Sequence, residues 1–259
     1  MPTVLITGAN RGLGLGFTEL FLAQDWRVIA AVRRPDHAPE LAALKAQHME
    51  RVRVEHVDLA DFATIAALGA RLAGTTIDLL LGNGAKTDNP ASTVGDTNYD
   101  AWMAAFRINC MAQMKLAETF VEHVAASAQK KMFFLSSRIG ANPPAGMILF
   151  RSSKSALNQV VMQLSLLLKP RGIAVACAHP GFVQTPSTAN MGVFTAAESA
   201  DHLKRVIDAL SLETSGQFFE PDGSTLPIVT RQTNPNAFGS KPSGAWVAQQ
   251  KVWDKEGRT

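Results

Sequence analysis

The sequence holds one tyrosine, Tyr99, in 259 residues. Chemistry that needs a phenolic proton away from that segment must find another donor. Cysteine is nearly as scarce. Cys110 and Cys177 are the only two, both in apolar surroundings and without metal-ligand spacing. They read as buried thiols, which excludes a disulfide scaffold and a cysteine-built metal site. Charge is thin as well. Charged residues make up 18%, and 25 basic against 22 acidic side chains leave +3 with no long basic run. That balance speaks against a nucleic-acid partner. Long apolar runs are also missing: the richest, residues 160–168, is broken by Gln163 and Ser165 and is too short to span a bilayer. Met1 runs almost directly into a strand-like segment, with no charged and apolar leader. A soluble cytoplasmic protein without a membrane partner is the expectation.

What is present is an ordinary globular composition, 46% hydrophobic, in a chain long enough for one large α/β domain. Residues 3–7 (TVLIT) form a nearly all-apolar run, as a central strand buried on both faces requires. Gly8, Ala9, Asn10, Arg11, Gly12, Leu13 and Gly14 follow, and then a helical pattern through Phe17, Leu20 and Phe21. Glycines at a strand-to-helix turn let backbone approach a pyrophosphate, and the helix N-terminus adds N–H groups and a favourable dipole. Residues 28–32 read as a second strand, ending in Arg33 and Arg34 rather than in an acid. In dinucleotide folds an acid at this point holds the ribose 2′-hydroxyl of NAD, whereas arginine accommodates the 2′-phosphate of NADP. Arg11 supplies a third positive charge able to reach the same phosphate.

Further along, residues 41–48 read as a short helix, 52–57 as a third strand, 61–73 as a helix and 77–81 as a fourth strand. A long amphipathic helix is expected over 98–128, a fifth strand over 132–136 and a helix over 146–168 that Pro170 and Gly172 stop. A sixth strand over 173–178, a helix over 196–212 and a last short strand or edge after Ser215 complete the pattern. Strands alternating with helices predict a Rossmann-type, doubly wound parallel sheet with helices on both faces, in one domain over residues 1–229. Residues 230–259 are polar, with Trp246 and Trp253 as the large anchors, and read as a tail that packs on a partner subunit or caps the site.

The segment KMFFLSSRIGANPPAGMILFRSSK, residues 131–154, organises the rest. Phe150 and Lys154 stand four apart at a helix start, so they share a face, and Ser137 lies thirteen residues before Phe150. This spacing resembles the short-chain dehydrogenase/reductases, in which Ser, about a dozen residues and then Tyr-x-x-x-Lys form the catalytic group. TGANRGLG, SSRIG, FRSSKSALNQ and SGQFFEPDG are similar to the C-factor/sniffer type of NADPH carbonyl reductase. The resemblance covers about residues 3–228. It implies NADP(H) as cofactor and hydride transfer involving a small or mid-sized organic molecule. It implies that Ser137 polarises a carbonyl, that Lys154 holds the nicotinamide ribose, and that Asn109 bends its helix and positions a water. It gives Asp58, with Leu59 beside it, to the adenine; the other reading of Asp58 is a helix N-cap. Asn83 and Gly84 fall in a variant of the family's Asn-Asn-Ala-Gly turn. Pro180, Gly181, Val183 and Thr185 fall in its nicotinamide loop, with His179 read as loop packing. Residues 186–195 are expected as a modest substrate lid. Met147, Phe150, Phe182 and Phe194 are expected near an apolar substrate pocket. A homo-dimer or homo-tetramer, built through the helices at 98–128 and 146–169, is also implied.

The tyrosine of that pattern is replaced by Phe150. A tyrosine beside an ammonium has its pKa lowered from about 10 and gives a proton as negative charge builds on the carbonyl oxygen. Phenylalanine fills nearly the same volume and has nothing to give; Ser136, Ser152 and Ser153 carry hydroxyls of poor acidity. Three readings stay open: reduction of a substrate that needs no strong acid, such as an iminium ion or activated enone; a non-redox cyclase, isomerase or ligand-binding role with NADP(H) retained; or a tyrosine-to-phenylalanine knockout of a carbonyl reductase.

Overall fold

Thr3–Thr7, buried at every position, is the strand β1 from which the sheet is built outward. The computed structural model describes residues 1–88, 90, 92–141 and 146–227. Around β1 lie β2 (Arg27–Val32), β3 (Val52–His56), β4 (Leu79–Gly82), β5 (Lys131–Leu135), β6 (Ala174–Ala178), β7 (Phe218–Phe219) and β8 (Thr225–Leu226), in the order β3-β2-β1-β4-β5-β6-β7-β8. The order reverses beside β1, where β4 pairs on the side away from β2. That reversal makes the crevice at the carboxyl ends of these strands a ligand site by topology. The named strands pair in parallel, as a doubly wound sheet requires, except at the edge, where β8 runs antiparallel to β7. The turn Glu220-Pro221-Asp222-Gly223 folds the chain straight back, and a return this short can only make a hairpin.

Helices cover both faces because the strands present apolar side chains to both. One core packs α1 (Gly12–Ala23), α2 (Pro39–His48) and α7 (Ala196–Ala209) on the sheet through Phe17, Phe21, Leu41 and Leu203. The other packs α3 (Phe62–Arg71), α5 (Ala112–Ala125) and α6 (Ile148–Leu168) through Ile65, Leu68, Leu116, Phe120, Leu157 and Val161.

The long helix expected over 98–128 is instead α4 (Tyr99–Phe106), a π-helical turn at Arg107–Met111, and α5. The turn contains Asn109, whose side chain bonds across to another loop, so one extra residue is inserted in the helix where that bond is made. Asn98 caps α4 by accepting from Ala101 N–H. The helix after the crossing begins at Ile148 rather than at 146, because Met147 stands at φ +53°. The expected tail over 230–259 lies outside the described residues, as does the crossing at 142–145. No helix among the described residues is long and apolar enough to cross a membrane.

Candidate functional site

A cleft of about 770 Å³ opens at the carboxyl ends of the strands, and the turn between β1 and α1 forms its floor. Gly8 has φ +68°, a conformation that favours glycine. A Cβ on Gly14 would stand 2.1 Å from the Gly8 carbonyl oxygen and 2.6 Å from Asn83 Nδ2, so only glycine lets α1 start this close to β1. The first turn of α1 has no side-chain cap and no acidic residue, which leaves its N–H groups free to meet an anion.

Asn83 holds this floor to β4. Its Nδ2 donates to the Thr7 and Gly8 carbonyls at 2.9 and 3.2 Å, while Thr7 Oγ1 accepts from the N–H groups of Asn83 and Gly84 at 3.1 Å each. Leu59 presses on Gly84, where a Cβ would lie 2.7 Å from its Cδ1. Asp58 accepts from Ala60 N–H; the helix that follows is capped by Asp61, so the capping alternative for Asp58 is corrected.

At one end of the cleft Arg11, Arg33 and Arg34 are exposed, and none has an ion-pair partner among the described residues. His37 joins them in the lining, from the short turn after β2. Its only sequence signal is its distance of three residues from Arg34.

At the other end stand Ser137, Phe150 and Lys154. Lys154 is 3% exposed, and its Nζ donates to the Leu135 carbonyl at 2.7 Å. Among the described residues no carboxylate pairs with it. Burial lowers its pKa to about 8. The Phe150 ring lies 5.7 Å from the same ammonium, so the position that would carry a hydroxyl offers an aromatic face. Ser136 donates to Asn158 Oδ1 at 2.5 Å and serves to anchor β5 on α6.

Asn109 is fully buried and does not line the cleft. Its Oδ1 accepts from Lys86 N–H at 2.7 Å, and its Nδ2 donates to Lys86 O at 2.9 Å and to Ser153 Oγ at 3.0 Å. Both amide protons are thus committed to protein. Ser153 in turn donates to the Phe150 carbonyl at 2.7 Å, so a chain of bonds runs from the loop after β4 to the backbone of Phe150.

Pro180, Gly181, Val183 and Thr185 line the wall opposite. Val193 N–H donates to Phe182 O at 2.6 Å and Gln184 N–H to Phe194 O at 2.7 Å, which ties the loop after β6 into a flap. Met147 and Phe182 face the cleft, but Phe194 does not line it. Phe194 packs on Gly181 and edge-on against His202, because the flap folds it back toward α7. Arg138 and Glu220, which sequence reasoning did not pair, make a two-pronged ion pair at 2.9 and 2.6 Å beside this wall.

This glycine-floored cleft at the sheet's switch point, with a buried lysine on α6, defines a dinucleotide-binding protein of the doubly wound type. The description "short chain dehydrogenase" matches residues 2–194, and the chain belongs to that family. It is 31% identical over 154 residues to the C-signal protein of Myxococcus xanthus, covering 58% of this chain and 92% of that protein. An uncharacterized oxidoreductase of Schizosaccharomyces pombe is 28% identical, with 86% and 96% of the two chains covered. Among solved structures, NADPH-bound carbonyl reductase from chicken fatty liver superposes with a TM-score of 0.80 at 27% identity, covering 87% of this chain and 98% of that one. The carbonyl reductase Sniffer of Drosophila melanogaster gives 0.81 at 25%, covering 87% and 99%.

Proposed function

We propose that this protein is an NADP(H)-dependent short-chain reductase acting on a small or mid-sized, largely apolar organic molecule whose reduction needs no strong acid. One observation carries the reading: a complete cradle for a phosphorylated dinucleotide runs into a reacting end where the position beside Lys154 is Phe150. The residues fit the cofactor. The uncapped start of α1 and the glycine floor suit a pyrophosphate, Arg11, Arg33 and Arg34 suit a 2′-phosphate, and Asp58 suits the adenine edge. When bound, NADPH supplies a hydride.

The chain's own residues do the rest. Lys154 holds a ribose hydroxyl and sets a positive charge under the reacting centre. Ser137 donates a hydrogen bond to the substrate. Asn109, through Ser153, fixes the backbone of Phe150. Phe150, Met147 and Phe182 exclude water and select apolar surface. With no phenol to give a proton, a plain ketone loses a contribution of about 10²–10⁴-fold. Activated enones and cyclic imines do not depend on that contribution. The direct experiment follows NADPH oxidation across ketones, activated enones and cyclic imines, for this protein and for Phe150→Tyr. Turnover of enones or imines by the parent, with ketones reduced only by the variant, is the expected result. No NADPH binding, or substrate conversion with NADPH unconsumed, would sink the reductase reading; the latter would point to a cyclase or isomerase.

A further inference from the structure

One titratable group at the reacting end has no task so far. His179 follows β6 directly and lines the cleft with Ser137, Phe150 and Phe182. Its backbone is occupied, since its N–H donates to Phe219 O at 2.9 Å. Its ring is not: Nδ1 is enclosed and meets no hydrogen-bond partner among the described residues. The charged groups that act on the ring are Glu220 and Arg138, and those two are bonded to each other.

Burial dominates and holds the imidazole neutral, with a pKa lowered to about 4. A neutral ring carries one proton, and its place is decidable. An enclosed N–H with no acceptor is costlier than an enclosed lone pair. Glu220 and Arg138 act on the ring in opposite senses, so the choice rests on the enclosure of Nδ1. The proton is therefore assigned to Nε2, the other nitrogen of a residue that lines the cleft.

We propose that His179 donates a hydrogen bond from Nε2 to the substrate's carbonyl oxygen, at the end of the cleft where Phe150 offers no hydroxyl. A neutral imidazole yields its proton poorly, but as a fixed dipole it stabilises negative charge arriving on oxygen. That suits an activated enone, whose oxygen needs its charge stabilised while solvent protonates the product later. An iminium, already cationic beside Lys154, gains nothing from such a donor. The inference rests on the reductase reading and narrows its substrate class to α,β-unsaturated carbonyl compounds.

The test uses cyclohex-2-enone as probe, with the full chain and its His179→Leu and His179→Gln variants. Calorimetry measures enone affinity in the presence of NADP⁺, and NADPH oxidation measures turnover. Nitrogen NMR of the parent protein reads the His179 tautomer. Expected are an Nε2–H tautomer, weaker enone binding in His179→Leu, and kcat/KM lower by about 10²-fold, the loss typical of one oxyanion donor. Partial recovery is expected in His179→Gln, whose amide can still donate. An Nδ1–H tautomer, no enone binding to the parent, or a His179→Leu variant unchanged within about twofold would each overturn the inference while NADPH still binds. A parent protein that does not bind NADPH overturns both readings.

Discussion

Phe150 differs from tyrosine by one oxygen, and its neighbourhood sets what that oxygen would do. Lys154 is close enough to lower a phenol's pKa, so Phe150→Tyr is expected to raise ketone reduction by about 10²-fold or more, measured as NADPH oxidation at pH 7. Lys154 itself titrates near 8 because it is buried without a carboxylate. As pH rises through about 8 the ammonium becomes an amine, so activity is expected to fall above that point; a flat rate from pH 7 to 9.5 would contradict its charged role. His179 is shifted by the same cause, burial, and supplies a stability signal at acid pH. Its folded pKa of about 4 lies below the ordinary 6.5, so the unfolded chain binds the extra proton between those values. Stability is therefore complete above about 6.5 and drains as pH falls toward 4, by at most about 3 kcal/mol from this residue. Urea midpoints at pH 7 and pH 4.5 should show the loss, and His179→Gln should shrink it.

At the scale of elements, the closest approach in the site is between the start of α1 and the end of β1. Gly14→Ala places a methyl 2.1 Å from the Gly8 carbonyl, so the helix must retreat from the strand. A loss of about 3 kcal/mol or more in urea unfolding is expected, beyond the usual cost of overpacking, together with lost NADPH binding. The glycine spacing made this turn readable in sequence. The resemblance implied a bend of the long helix at Asn109; local residue type alone did not show it, because the π-turn goes with a bond from Asn109 to Lys86, 23 residues away. An asparagine in a helix has many innocent explanations. Likewise the aromatic pattern drew Phe194 to the pocket, while the backbone bonds between Phe182 and Val193 turn it toward α7.

Among the described residues, charge is sorted along the cleft, with arginines that make no ion pair at one end and one buried ammonium at the other. Replacing Arg33 and Arg34 together by alanine is expected to weaken NADPH by about 10-fold or more, the worth of a charge-assisted contact, and to leave NADH nearly unchanged. Fluorescence titration with both nucleotides checks it; equal losses for the two would refute a 2′-phosphate site. Exposed Met103 on α4 and Leu166 and Leu167 on α6 lie in the segments through which the resemblance implies assembly. We propose a homo-dimer or homo-tetramer, and light scattering giving a monomer mass at micromolar concentration would refute it.

The order of strands and helices, the glycine turn, the basic end of β2 and the missing phenol were legible in sequence, because each is written in local residue type, spacing or periodicity. The burial of Lys154, the Arg138–Glu220 pair and the enclosed Nδ1 of His179 were not. Those properties arise where β5, β6, β7 and α6 converge, so they depend on side chains as far apart as 82 residues in the chain and become defined only when the sheet closes around them.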